Sequence, residues 1–502
     1  MGLFSGKRAP PPRVPTDEVQ PVHFFDDLDS YRGLVMCWTL VFEDVLDAEK
    51  LRDALARLLE TGEWRRLGGR LRLNDAGKLE VHVPEKFTPS RPSSAFSHET
   101  FDTPIASHPL ASRLPTPSEG PSIQDSADPL KPLTVASDVP RTLDDYLYTD
   151  APQLSIRVVN FSDATLVAVQ WPHVLGDALS LRCLVRNWSK VLAGREDEVE
   201  PLLGAREDPL ADVGAGPKPA EEEPWVLADK ALKRFGFFIF VVNFIWALVF
   251  GSKMEVKSIC LPATTVAKLR EGAIRDLADK ADGDTAGDSD DKPKPPFISE
   301  NDVVTAWATK MACLTIPTSR PVGVLNVFEA RSRLPGALST AACVSNIVFP
   351  SWTLLAPGEI ASAPLGKTAL TLRRSLASQI TEGQIRAQLR AMRESIATLK
   401  RPPLVLEPRA EMVTFSSWEK AKLFEAVDFS PAIVKIGKAE GSPGRMSRPG
   451  GPRFHYSALV NENKTLRNVF NVVGKDPAGN FWLLGILPRR TWQLLEKEMR
   501  TM

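Results

Sequence analysis

At 502 residues the chain is too long for one hydrophobic core, and length alone predicts two or three domains. Hydrophobic residues at 43% and charged residues at 25% are ordinary for globular proteins, and a formal net charge of +0 leaves no bulk electrostatic case for nucleic-acid binding. Cys37, Cys183, Cys260, Cys313 and Cys343 are scattered and form no CxxC, which predicts reduced thiols and no metal site.

Taken in chain order, residues 1–8 lack a secretory apolar core and miss the myristoylation pattern, because Ser5 stands one place too early. A cytoplasmic placement is therefore expected. Residues 8–16 are Pro-rich, and a disordered tail is expected over 1–18. An N-terminal half is expected over 19–200. In it His23-Phe-Phe-Asp-Asp27 is an HxxxD sequence whose Phe24-Phe25 reads as the start of a buried strand. Residues 51–59 read as a helix. Residues 115–132, rich in Pro, Ser and Asp, read as a long surface loop.

The runs 155–160 and 165–171 are β-rich, and Ser162-Asp163 between them predicts a hairpin. Pro172 removes a ladder donor and ends the strand. Beyond it Ala178, Leu181, Leu184, Val185, Trp188 and Val191 recur at helical spacing, with Asp177 near the helix start. His173 of Trp171-Pro-His-Val-Leu-Gly-Asp177 therefore falls on the loop between strand and helix. An unperturbed imidazole titrates near ~6.5, so a histidine held there, with a carboxylate four residues on, can act as an oriented general base. The local pattern fits equally an Asp177 helix cap beside a surface histidine.

Residues 195–224 are acidic and Pro/Gly-rich, and a crossover is expected over 201–255. Inside it, residues 235–250 are apolar apart from Asn243 and are flanked by Lys230, Lys233, Arg234 and Lys253. A spanning helix needs about 20 apolar residues, so this one is short. It reads as an interfacial anchor, as a buried helix or cover over an apolar channel, or least of all as a span. A C-terminal half is expected over 256–502, with an Asp-rich disordered insertion at about 276–296. Residues 437–452 read as a solvated loop, with Arg445, Arg448 and Arg453 as weaker candidates for contacting phosphates.

The His173 box resembles the HxxxD motif of the BAHD acyltransferases and their fungal relatives, which include trichothecene O-acetyltransferases. The resemblance runs from about residue 19 to 487. Pro21-Val-His-Phe-Phe-Asp26 is similar to the family's opening strand, and Gly68-Gly69-Arg70-Leu71 to its GRL strand. Ser299-Glu-Asn-Asp302 with Ala306-Trp307 resembles S-x-N-D…A-W. Glu329-Ala-Arg331-Ser-Arg333-Leu334 resembles DGRSRL, and Ser345-Asn346-Ile-Val-Phe349 resembles GNxxF. Ser416-Ser417-Trp418 followed by Asp428-Phe429 resembles TSW…DFGWG. Here Ser430-Pro431-Ala432 replaces the glycines and tryptophan of that last motif, and Ala178 replaces the glycine after the box.

The resemblance implies an α/β (α+β) fold of two chloramphenicol-acetyltransferase-like domains, each a mixed sheet with flanking helices, with the active-site channel at their interface. It implies acyl-CoA, acetyl-CoA above all, as co-substrate, no permanently bound cofactor, and a small-molecule alcohol such as a hydroxylated terpenoid as acceptor. It implies a monomer. His173 would be the base, Asp177 would pair with Arg331, and Ser416 and Trp418 would lie nearest the thioester and oxyanion. Ser299 and Asn346 would stand in the coenzyme's vicinity, and Asp428 and Phe429 in the DFGWG-like loop. An amine acceptor, a carrier-protein donor, a wax-ester or glycerolipid transfer, and a non-catalytic binding homologue are the alternatives.

Overall fold

Alternating and β-branched runs pair into two large sheets in the computed structural model, which describes residues 9–284 and 296–502 except 127, 337, 339, 340, 357, 439, 440, 442, 443 and 462. Ser155–Asn160 and Thr165–Pro172 form the expected antiparallel hairpin. Every residue of the second strand is buried, which accounts for its nearly unbroken apolar composition. Val35–Phe42 pairs on its other side and Pro452–Leu459 closes that edge, while Ala95–Thr100 lies parallel to Ser155–Asn160 at the opposite edge. Helices Ala48–Glu60 and Ala178–Leu192 pack over this five-stranded sheet, burying Leu51, Leu55 and Leu58 of the first and Leu181, Leu184 and Trp188 of the second.

The seven-stranded sheet runs Val348–Leu355, Val322–Glu329, Glu411–Ser417, Val469–Lys475, Phe481–Pro488, Met254–Leu261 and Ser122–Asp125. Helices Glu300–Ala312 and Arg489–Met499 cover one face of it through Val303, Val304, Trp307, Trp492 and Leu495. Each sheet takes an edge strand from the other end of the chain: Ser122–Asp125 pairs with Met254–Leu261, and Pro452–Leu459 pairs with Val35–Phe42. Such exchange covers edges that would otherwise present unpaired amides.

Several expectations are corrected. The loop expected over 115–132 contains the strand Ser122–Asp125, which exists because a partner far away in sequence offers a ladder. Phe24-Phe25 opens no strand; the chain turns at 24–26, and Phe25 is buried edge-on against Phe349. Helix Ala263–Asp284 covers the first residues of the expected disordered insertion, and the Asp276 carboxylate accepts the Gly366 amide at 3.0 Å. The remainder of that insertion, 285–295, lies outside the described residues. Of the expected disordered tail, residues 1–8 also lie outside them. The rest is tied down, with Asp17 paired to Arg91 at 2.7 Å and Glu18–Pro21 forming a strand.

Residues 235–250 form most of the helix Arg234–Phe250, in which no residue is buried, so the buried-helix reading fails. Among the described residues, no helix is long and apolar enough to cross a membrane.

Candidate active site

His173 follows the buried strand directly and begins a single 3-10 turn, His173–Leu175, before the helix Ala178–Leu192. Its amide donates to the Leu34 carbonyl at 2.9 Å, which ties the turn to the neighbouring strand's entry. The ring stacks on Tyr31 with centroids 4.8 Å apart and planes 13° from parallel. Nδ1 is shielded from solvent without a well-formed hydrogen bond, whereas Nε2 is not. Burial lowers the imidazole pKa, opposed by its own backbone carbonyl, by the Asp177 charge and by Asn346.

Asp177 turns away from this ring. It caps the helix, accepting Leu179 N and Ser180 N at 3.1 Å each, and meets Arg331 in a fork at 2.9 and 3.1 Å. The Ile347 amide adds a contact at 3.0 Å. Both members of the ion pair are buried, and Arg331 also donates to the Ser345 carbonyl at 2.6 Å. Gly176 is required by space, since a Cβ there would sit 2.4 Å from the Ser180 hydroxyl that supports the Asp177 amide.

Asn346 works through the backbone. Its Nδ2 donates both to the His173 carbonyl at 2.8 Å and to Asp26 Oδ1 at 2.9 Å, and its amide donates to the same Oδ1 at 2.6 Å. Asp26 is buried, and desolvation raises its pKa to about 7 against these donors.

His173, Ser416 and Trp418 line one cavity of 570 Å³. The cavity lies between the sheets: His173 leaves the five-stranded sheet, while Ser416 is the penultimate residue of a strand of the seven-stranded one, beside Asn471 on the parallel neighbour. Asn471 Nδ2 donates to Ser457 Oγ at 2.9 Å, bridging the two sheets within the cavity wall. Leu34, Met36, Val256, Leu484 and Ile486 give it an apolar lining, and Lys253, Lys464 and Arg467 add cations. Among the described residues, the Ser416 hydroxyl and the Trp418 indole N–H have no hydrogen-bond partner, and neither atom is sealed from solvent. They are free donors.

The remaining candidates lie elsewhere. Ser299 caps helix Glu300–Ala312, its hydroxyl donating to Asp302 at 2.7 Å, and it does not line the cavity. Asp428 accepts Ser430 Oγ at 2.7 Å, and Phe429 is fully buried against Trp188 and Phe42. Arg445 is committed to the buried Asp44 at 2.7 Å and Arg448 to the Val427 carbonyl at 2.9 Å. Sequence reading missed Tyr31, Ser457 and Asn471. A lone polar residue in a strand carries no local signal, and only the Ser416–Asn471 register brings the last of these to the site.

The transferase family profile matches residues 132–433, which include the His173 turn, Arg331 and Trp418. The chain belongs to the transferase family. It is 39% identical over 499 residues to O-acetyltransferase PaAT-2 of Phomopsis amygdali, covering 97% of this chain and 98% of that one. It is 36% identical over 504 residues to acetyltransferase adrJ of Penicillium rubens, covering 99% of each. Its fold is similar to that of TRI101 from F. sporotrichioides, solved with coenzyme A and T-2. That likeness has a TM-score of 0.64 at 15% identity and covers 96% of this chain and 97% of the other. The chain is a BAHD-like acyltransferase of the two-domain, chloramphenicol-acetyltransferase-like fold.

Proposed function

We propose that the protein acetylates a hydroxyl of a lipophilic secondary metabolite, such as a terpenoid alcohol, with His173 as general base. The observation that carries this reading is the convergence of the His173 ring and two free donors, Ser416 and Trp418, on one apolar cavity. Its volume suits a small-molecule site, for which ~300–1,000 Å³ is usual. The full-length relatives named acetyltransferases support acetyl as the group moved. On this reading residues 19–200 and 256–502 are the two halves that meet at the channel.

The acceptor oxygen attacks the thioester carbonyl as Nε2 of His173 takes its proton. The resulting oxyanion is met by the Trp418 indole N–H and the Ser416 hydroxyl. Collapse expels the CoA thiolate, which recovers the proton from the imidazolium and leaves the ester. General-base assistance is worth ~10²–10⁴ in rate, and one oxyanion donor is worth ~2.7–4 kcal/mol. Asp177 and Arg331 hold the turn and move no proton.

Thermal melting with CoA and acyl-CoAs of increasing length selects the donor, and a panel of hydroxylated terpenoids is then screened by release of the CoA thiol. His173→Ala should reduce transfer by ~10²–10⁴ with the fold intact. The acidic limb of wild-type kcat/KM should fall below pH ~6.5, because burial lowers the His173 pKa. Transfer retained in His173→Ala would overturn the assignment.

A further inference from the structure

The helix Arg234–Phe250 is apolar on every side, yet the body of the protein covers only part of it. Phe240 packs beside the cluster of Trp225 and Trp352, Phe237 lies under the Arg401 guanidinium at 3.6 Å, and Leu248 faces the cavity. The opposite face is bare. Phe235, Phe238, Val242, Ile245, Trp246 and Val249 recur at helical spacing, and between 49% and 75% of each is exposed. A helix that is apolar all round is ordinarily buried in a core or in lipid, and a contiguous exposed patch of this kind marks an interaction surface.

Charge identifies the occupant. Lys233 is the N-cap residue and Arg234 the first helical residue, with no acidic residue in the first turn and no side-chain cap. Two cations at the positive end of a helix are unfavourable in water; anionic headgroups reverse that penalty. Lys253 provides a cation just past the other end, so the apolar face is bracketed by positive charge. Between Phe235 and Phe250 the one polar side chain is Asn243, which donates one amide hydrogen back to the Ile239 carbonyl at 2.9 Å and so lowers the cost of placing that amide in lipid.

Geometry excludes a span. The helix has 17 residues, about 26 Å at 1.5 Å each, against ~30 Å of hydrocarbon. Both ends are also fastened to the fold: Leu232 N donates to the Leu404 carbonyl at 2.8 Å, and Met254–Leu261 enters the seven-stranded sheet. Lying flat is what remains.

We propose that the bare face of Arg234–Phe250 seats this enzyme on an anionic bilayer surface, with the mouth of the His173 cavity beside the membrane. Leu248, Gly251, Ser252 and Lys253, at the end of the helix and just beyond, line that same cavity. A lipophilic acceptor would then enter from the bilayer without crossing water, a consequence that rests on the acyl-transfer reading.

The test is flotation of the full chain with vesicles of phosphatidylcholine containing ~30% phosphatidylserine, which needs no turnover and so stands apart from the His173 experiment. Wild type should float with them. Trp246→Glu/Val249→Glu and Lys233→Glu/Arg234→Glu should each bind at least about ten-fold more weakly, with elution volume unchanged and no fall in melting temperature. Because the Glu substitutions fall on exposed positions, folding is preserved. Wild type that stays unbound, or variants that float equally well, would overturn the proposal. So would a wild-type dimer that dissociates in Trp246→Glu/Val249→Glu without vesicle binding, since the occupant would then be a second copy of the chain.

Discussion

Burial lifts the Asp26 carboxyl to about 7, although two Asn346 donors converge on its Oδ1. Desolvation outweighs those bonds. Protonated Asp26 stabilises the fold fully below about 3.8, its ordinary value, and this contribution is lost as pH rises through about 7. Across that window the loss is ~1.4 kcal/mol per pH unit. His173, whose pKa burial lowers, acts in the opposite sense at acid pH, so a comparison of variants is needed to isolate Asp26. Asp26→Asn keeps an acceptor for Asn346 and cannot ionise. Urea midpoints at about pH 5 and pH 7.5 should fall for wild type and change less for Asp26→Asn; parallel changes would refute the assignment. Because Asn346 also holds the His173 carbonyl, the same titration reaches the turn that carries the base.

At the scale of the element, Asp177 serves as both helix cap and interdomain fastener. Asp177→Ala removes the cap, at ~0.5–2 kcal/mol, and strands the buried Arg331, at ~3–5 kcal/mol. Asp177→Asn retains the cap and should lose less. Denaturant midpoints order the three proteins, and an Asp177→Ala as stable as wild type would remove the buried pair from the account. This element was legible beforehand: β-rich runs, Pro172 and a helical apolar stripe placed His173 on a loop, and the structure has strand, turn and helix there. Ser122–Asp125 was not legible, because a four-residue edge strand in a Pro/Ser-rich stretch owes its existence to Met254–Leu261. The same limit hid Asn471 and Tyr31, whose places at the site come from register and from ring stacking across separate segments. The apolar run at 235–250 was visible as composition. Which of its faces stays bare depends on what the folded body happens to cover.

For the whole molecule, the exchanged edge strands decide how it unfolds. Pro452–Leu459 completes the sheet that carries His173, and Ser122–Asp125 completes the sheet that carries Ser416, so neither half of the chain closes its own sheet. The Asn471–Ser457 bond and the Asp177–Arg331 pair add bridges between the same two sheets, both at the site. Chains of this length usually unfold domain by domain. Here the two sheets should unfold together, with intrinsic fluorescence and far-UV circular dichroism tracing coincident urea transitions. Tyr456→Pro, in the buried face of the exchanged strand, removes a large side chain and disrupts the ladder against Val35–Phe42. It should shift that single transition to lower urea by several kcal/mol equivalent, of order ~3 or more, without splitting it. A variant showing two separated transitions, one at the wild-type midpoint, would mean that the sheets are independently stable. The cavity between them would then be an interface between autonomous domains rather than a feature fixed by the fold.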